Sequence, residues 1–162
     1  MSPFLQAIAE AKASGDPGRV LQAIPYLDFL GVQLRQDPAD GSLLSILPPD
    51  DKLIGNPRLP ALHGGVVGAF LESAALMQLL WASETVSRLP KVITVTIDYL
   101  RPASPVETIA RAEVTRQGRR IATVRTIAWQ QDPGRPVAAA NAHFLLPQPD
   151  AAAEETGRGT AG

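Results

Sequence analysis

Glu72 is a carboxylate set in a long apolar segment. Residues 59–83 read LPALHGGVVGAFLESAALMQLLWAS, in which His63 is the other titratable side chain. At helical spacing, the neighbours of Glu72 three and four residues away are glycine, alanine or leucine, so no cation lies within one turn. Burying an unpaired carboxylate is costly. Glu72 is therefore paired from elsewhere, in contact with water, or kept for chemistry, as a general base or a nucleophile.

The tripeptide His63-Gly64-Gly65 stands where a loop turns into this segment. Glycine permits a sharp turn and lets a ligand approach the backbone. The first N–H groups of a helix have no internal partner and lie at the positive end of its dipole. The Gly65 N–H is therefore a candidate to polarise a thioester or ester carbonyl, as in an oxyanion hole. The alternative interpretation, that the two glycines serve only a tight turn from loop to helix, stays open.

Two further side chains are candidates for positioning a substrate or a water molecule. Asn56 can donate an amide hydrogen bond, although an asparagine before a proline suits a turn equally well. His63 is expected to position groups rather than to react. His143, which falls in the middle of a predicted strand, is expected to be structural.

The spacing of Gly65 and Glu72 bears on subunit number. Seven residues of helix separate them by roughly 10 Å along the axis. One carbonyl carbon cannot contact both within a single chain, but it can if a second copy of the helix runs antiparallel beside the first. The spacing therefore favours a site shared between two subunits.

The elements that must hold these residues are predicted from periodicity. Helical spacing covers residues 3–13, Pro17 can open a second short helix as far as Ile24, and residues 65–83 form one long apolar helix. Turn residues at 37–41 predict a hairpin between the apolar runs 29–34 and 42–47, and the proline-rich residues 48–60 predict a loop. Alternation after Pro90 predicts a four-stranded meander with strands at 92–99, 106–116, 120–130 and 137–146.

Six strands and one apolar helix predict the α+β class, with a long central helix wrapped by an antiparallel sheet of about five or six strands. The apolar residues 66–81 are fewer than the roughly 20 that a membrane span needs, and they include Glu72. A buried helix is therefore the favoured interpretation. The predicted organisation is an N-terminal helical extension at 1–27, the main domain at 28–147 and a disordered tail at 148–162.

Composition narrows the class of function. The chain has 162 residues, of which 45% are hydrophobic and 19% charged, with a net charge of −1 and no cysteine. We therefore expect a globular protein that binds neither nucleic acid nor a membrane. No disulfide or thiol chemistry is possible, and no metal or other cofactor is expected because the two histidines lie 80 positions apart. The first residues lack the pattern of a secretory signal, which favours a cytoplasmic location.

The arrangement of Asn56, His63-Gly64-Gly65 and Glu72 resembles the hotdog-fold acyl-CoA thioesterases of the PaaI type, whose acid follows the histidine by nine residues. The segment TVTIDYLRPA at 94–103, the Gly-Arg turn at 118–119 and the strand ending HFLL also fit, so the resemblance covers residues 28–146. Two positions depart from it. Asn56 precedes the histidine by seven residues rather than six, and Leu76 stands where some relatives have serine or threonine.

The resemblance implies hydrolysis of an acyl- or aryl-CoA thioester at the interface of a homodimer, commonly within a tetramer. Glu72 would act as base or nucleophile and the Gly65 N–H would stabilise the oxyanion. Gly64 would line the substrate site, and Asn56 and His63 would position substrate or water. Candidates to bind the CoA phosphates, unless they are simply solvated, are Arg101, Arg119 and Arg120.

Two other functions stay open. A hotdog protein can bind or carry acyl-CoA without turnover, although residues 1–27 are too short and not basic enough for an added DNA-binding region. A hydratase or dehydratase of this fold usually needs an Asp–His pair, which the sequence does not present at suitable spacing.

We predict that residues 149–162 are dispensable. They contain no large apolar side chain, so ordering them would cost backbone entropy with little burial in return. A chain ending at Gln148 should melt within a few degrees of the full chain and keep its full rate of thioester hydrolysis. A large loss of either would show that the tail docks on the body of the protein or on a neighbouring subunit.

Overall fold

The computed structural model describes residues 2–84 and 88–148, and the predicted tail from 149 onward lies outside them. Both predicted N-terminal helical segments are present, as α1 (Pro3–Ser14) and a 3-10 helix (Pro17–Ala23). A further helix, α2 (Pro25–Leu30), replaces the start of the first predicted strand. Its signals are a proline at its first position and Gly31 at its end, where φ is 73°.

Six strands form one sheet, and every pairing in it is antiparallel. The strands are β1 (Gln33–Gln36), β2 (Leu43–Leu47), β5 (Lys91–Tyr99), β6 (Thr108–Gln117), β7 (Ile121–Trp129) and β8 (Ala138–Leu145). Their order across the sheet is β1-β2-β6-β7-β8-β5. The hairpin β1–β2 is joined to β6 by Arg111, whose guanidinium pairs with Asp37 and Asp40 of the hairpin turn.

The predicted four-stranded meander is wrong at its first strand. Strands β6, β7 and β8 do follow one another, but β5 pairs with β8 and not with β6. The connection at residues 100–107 carries the chain from one edge of the sheet to its interior, which local alternation cannot reveal. As an edge strand, β5 is mostly exposed, whereas β6, β7 and β8 bury alternate residues.

The sheet covers the long apolar helix α3 (Gly64–Ala82), as expected. This helix has the length and composition of a membrane span, but 56% of its most apolar window is buried inside the protein. Helix and sheet approach closely because the side chains on the inner face of the sheet are small. Seven buried alanines lie on it, at positions 110, 112, 122, 128, 138, 140 and 142.

The N-terminal helices cover the far end of α3. Ile8 and Val20 pack with Met77 and Leu80 in one buried cluster. The Lys12 ammonium donates a hydrogen bond to the Ser83 carbonyl at the end of α3. Burial lowers the pKa of the Lys12 side chain.

The predicted loop at 48–60 contains short regular elements. After a 3-10 turn at Asp51–Leu53, strand β3 (Ile54–Asn56) pairs with β4 (Ala61–Leu62) as a separate two-stranded ribbon. Four prolines and a two-residue partner strand hide this pairing from periodicity. The ribbon leads directly into α3.

We predict that Thr126→Val stabilises the protein. The Thr126 hydroxyl is fully buried between Ala112 and Ala140 and has no hydrogen-bond partner among the described residues. Valine has nearly the same shape and removes this unsatisfied polar group, which should be worth about 1 kcal/mol, or a few degrees in Tm. Thr123→Val is the matched control, because the Thr123 hydroxyl contacts His143 Nδ1 at 3.1 Å. A lower Tm for Thr126→Val than for the control would contradict the assignment.

Candidate active site

The start of α3 is fixed by a histidine cap. His63 is the N-cap residue, and its Nδ1 accepts a hydrogen bond from the Gly65 N–H at 2.9 Å. The His63 carbonyl accepts from the N–H groups of Val66 and Val67, at 2.9 and 3.1 Å. The expected oxyanion donor, the Gly65 N–H, is therefore already engaged within the chain. The contact that the structure shows for the His63 ring is this cap on the helix terminus, and its expected role in positioning substrate or water stays a prediction.

The Gly64 N–H is the donor that this cap leaves open. It makes no hydrogen bond within the part of the chain that the structure describes, and the residue is exposed. The Gly64 carbonyl accepts from the Tyr99 hydroxyl at 2.8 Å. A Cβ on Gly64 would lie 3.5 Å from the Tyr99 ring, so strand β5 holds this peptide unit in place.

Sequence reasoning did not assign a role to Tyr99. It ends β5, and its side chain is 57% exposed despite the contact with Gly64. The sequence marks Tyr99 by its position in the segment TVTIDYLRPA, at the end of the alternating pattern that predicts a strand. Only the tertiary structure shows that this tyrosine reaches a glycine 35 residues earlier in the chain.

A depression of about 270 Å³ opens beside Gly64, with Val67, Tyr99, Arg101 and Val137 among its walls. The guanidinium of Arg101 donates to the Pro136 carbonyl at 3.0 Å, which fixes its direction at the rim. Of the three candidate arginines, Arg101 is thus the one that lies beside the start of α3.

Arg119 and Arg120 lie at the other end of the sheet. They precede β7, whose first residue Ile121 pairs with Leu145, whereas Ala128 near its end pairs with Ala138 beside Tyr99. Seven strand residues separate the two ends by roughly 23 Å. A single chain therefore does not bring these two arginines to Gly64.

Glu72 lies on the stripe of α3 that the sheet leaves uncovered. Gly65, Ala69 and Leu76 share this stripe at helical spacing, and each is exposed or partly buried. Glu72 itself is partly buried and makes no hydrogen bond or ion pair with the described residues. Neighbouring Ser73 is satisfied internally, since its hydroxyl donates to the Ala69 carbonyl at 2.7 Å. An unpaired carboxylate thus faces outward from an otherwise apolar helix.

Asn56 is brought near the helix start by the β3–β4 ribbon. Its side-chain oxygen accepts from the N–H groups of Arg58 and Leu59, at 3.0 and 3.4 Å, so the turn role weighed for it is real. The amide nitrogen makes no hydrogen bond to the described chain and is left to donate. A Cβ on Gly55 would lie 2.8 Å from His63 Cα, so glycine is needed where the ribbon contacts the histidine.

The described residues offer no cluster of three or more His, Cys, Asp or Glu side chains that could hold a metal ion. The second histidine, His143, lies on the outer face of β8 and contacts the Thr123 hydroxyl. Its contact is consistent with the structural role expected for it.

The open N–H of Gly64 and the carboxylate of Glu72 are groups of the kind that acyl transfer uses. A helix N-terminus with an open N–H can bind a developing oxyanion, and a free carboxylate can activate water or attack a carbonyl. Gly64 and Glu72 are eight residues apart on one helix, roughly 12 Å along its axis. If both groups act on one carbonyl, this distance requires two copies of α3.

More than half of the chain matches one protein-family model. The model, described as acyl-CoA thioesterase N-terminal domain, matches residues 56–145, which include β4, α3 and all four later strands. No functionally curated protein matches the sequence.

Several solved structures share the fold. A protein from Chromobacterium violaceum is 38% identical, with a TM-score of 0.73, and the match covers 88% of this chain and 98% of that one. A phenylacetic acid degradation-related protein from Ralstonia eutropha JMP134 is 27% identical, with a TM-score of 0.67 and coverage of 80% and 98%. A Bacillus halodurans protein solved with CoA is 22% identical, with a TM-score of 0.63 and coverage of 90% and 93%.

Proposed function

The chain belongs to the acyl-CoA thioesterase N-terminal domain family, and from this premise we propose that it hydrolyses the thioester bond of an acyl- or aryl-CoA. The observation that carries the proposal is the presence on one helix of two groups without a partner among the described residues, the Gly64 N–H at the start of α3 and the Glu72 carboxylate on its uncovered stripe. CoA bound to the Bacillus halodurans neighbour supports the choice of thiol. Neither group needs a metal or other cofactor for this reaction.

The thioester carbonyl would sit on the N-terminus of α3. We assign the oxyanion donor to Gly64 rather than to Gly65, because the Gly65 N–H is bonded to His63 Nδ1. Negative charge develops on the carbonyl oxygen during attack, so a donor and a helix dipole aimed at that oxygen bind the transition state better than the substrate. The Tyr99 hydroxyl steadies the same peptide unit through its carbonyl.

Glu72 would take part in the attack on the carbonyl carbon by one of two routes. As a general base, its carboxylate takes a proton from water while the water oxygen bonds to the carbonyl carbon. As a nucleophile, it attacks the carbon itself and water then hydrolyses the anhydride. In both routes the tetrahedral intermediate expels the CoA thiolate, which is protonated to the thiol, and the acyl group leaves as a carboxylate. Asn56 would donate its free amide hydrogens to the water or the acyl oxygen.

The edge strand β5 provides a way to assemble the shared site. Its outer edge carries no partner strand within the described chain, and Val92 and Ile93 expose apolar side chains there. Antiparallel pairing of β5 with the β5 of a second copy would satisfy this edge. Because Tyr99 and Ile97 contact Gly64 and Gly68, α3 lies beside β5, and the same two-fold axis would run the two α3 helices antiparallel.

This assembly places Glu72 of one subunit toward Gly64 of the other. We propose a homodimer as the active unit, and a dimer of dimers as the complete assembly implied by the family resemblance. Arg101 is the proposed contact for the CoA phosphates, because it lines the depression beside Gly64. Arg119 and Arg120 can reach a bound CoA only across a subunit boundary, so their part in binding stays a prediction.

We predict that Glu72→Gln folds normally but turns over at least about a hundredfold more slowly, the usual scale for a catalytic acid or base. The assay is thiol release from a panel of short, long and aromatic acyl-CoA esters. Glu113→Gln is the matched control, since Glu113 lies in β6 opposite Arg125, away from α3. Near-normal turnover by folded Glu72→Gln would refute the site. Absence of thiol release by the unaltered protein across the panel would favour a binding protein or a hydratase.

We predict that Gly64→Pro loses about a hundredfold or more in turnover, because it removes one oxyanion donor. Proline is tolerated at the first position of a helix, and the preceding His63 already has the extended conformation that proline favours (φ −61°, ψ 133°). Gly64→Ala is the matched control, because it keeps the N–H and its Cβ meets Tyr99 at ordinary contact distance. Equal rates for the two variants would exclude this N–H as the donor.

The same variants test whether the site is shared. Chains carrying Glu72→Gln and chains carrying Gly64→Pro, each inactive alone, should recover about a quarter of normal activity when co-assembled, since half of the dimers are mixed and one of their two sites is intact. Failure to recover activity in demonstrated mixed dimers, or an active monomer in light scattering, would show that both groups act within one chain.

A further inference from the structure

A groove of about 570 Å³ opens between the first turn of α1 and one end of the sheet. Its walls are mostly apolar, and two of them, Leu89 and Leu145, are 41% and 40% exposed. The volume falls in the range of small-molecule sites. The apolar walls are Leu5, Leu89, Leu145, Leu146 and Pro147.

The groove combines this apolar surface with positive charge. Lys91, the first residue of β5, and Arg120, just before β7, both line it. Neither side chain forms an ion pair with the described residues, and the described residues that line the groove include no acidic one. Arg88 also lies on its wall. A ligand that fits this distribution has an extended apolar part and an anionic end.

We propose that the groove binds a single-chain alkyl carboxylate. The alkyl chain lies along Leu5 and Leu146, and the carboxylate lies between Lys91 and Arg120. A guanidinium and an ammonium form charge-assisted hydrogen bonds to a carboxylate, and a guanidinium matches its planar, two-oxygen geometry. Burial of methylene groups supplies the remaining affinity, so a small inorganic anion lacks most of what the site recognises.

Within one chain, the groove lies far from the proposed oxyanion donor. Lys91 and Tyr99 mark opposite ends of β5, so the groove lies eight strand residues, roughly 26 Å, from the contact between Tyr99 and Gly64 of the same chain. An alkyl carboxylate in the groove therefore does not contact Gly64 of the chain that binds it.

The test is titration calorimetry of the full chain with dodecanoate below its micelle-forming concentration. We expect saturable binding in the groove. Octanoate should bind at least about tenfold more weakly, since each buried methylene contributes up to roughly fourfold in affinity. Dodecyltrimethylammonium, with the same chain and a cationic head, should also bind at least about tenfold more weakly. No binding of dodecanoate, or equal binding of the two head groups, would overturn the proposal.

Two kinds of variant locate the site. Lys91→Gln combined with Arg120→Gln should weaken dodecanoate binding at least about tenfold. Leu145→Glu, which puts a carboxylate on an exposed wall position, should weaken it as much. Arg116→Gln is the control, because Arg116 is an exposed cation of β6 that does not line the groove. Thermal melting checks that each variant is folded. Dodecanoate bound at the start of α3 would be unaffected by these changes, so unchanged affinity in the folded variants would also overturn the proposal.

Discussion

Burial of α3 is the constraint on which the rest of the structure depends. A 19-residue helix with a single ionisable residue after its N-cap must be covered on most of its circumference. Five strands of the sheet and the N-terminal helices provide that cover, and the alanines of the inner face let the backbones approach closely. A sheet can curve only part of the way around a helix. The stripe it leaves open is the one that carries Gly65, Ala69, Glu72 and Leu76.

The same burial holds the N–H groups at the start of α3 in fixed positions. Once α3 is held along its length, its N-terminus has a fixed direction. Contacts of the first residues of α3 with His63 and Tyr99, and of His63 with the ribbon, hold this end in place. His63 satisfies one of the free N–H groups, and its carbonyl accepts from the next two. The N–H that remains without a partner among the described residues is that of Gly64, an exposed residue beside a depression. In the proposed reaction this donor is in place before any substrate arrives, which is the property that makes such donors effective.

Placing β5 at the edge of the sheet has consequences at both of its ends. At the Tyr99 end, it supports the start of α3. At the Lys91 end, it closes one wall of the apolar groove together with the ends of β8 and α1. Between the two ends lies an exposed backbone edge that a second subunit can complete. The position of β5 in the sheet thus supports the start of α3, leaves an edge for the proposed pairing of two subunits, and forms one wall of a charged, apolar groove.

Periodicity and composition determined a large part of this protein from the sequence. The apolar run of α3 and the alternation of β6, β7 and β8 are local patterns, so their positions were predicted to within a few residues. The α+β class followed from these patterns. The hotdog-fold acyl-CoA thioesterase family came from a resemblance carried by Asn56, His63-Gly64-Gly65 and Glu72, and the family match and the observed fold confirm both predictions. The isolation of Glu72 on its helix was also visible, because it depends only on neighbours three and four residues away.

Other features were decided only by contacts between distant parts of the chain. The position of β5 depends on which strand it pairs with, and alternation is the same for either partner. The choice between Gly64 and Gly65 as donor depends on the His63 ring, which takes up one N–H and leaves the other. The groove is built from segments near residues 5, 90, 120 and 146, none of which is unusual by itself. Sequence determines which residues prefer to be buried, strand-forming or capped, whereas pairing and packing in three dimensions determine which backbone group stays free and which surfaces meet.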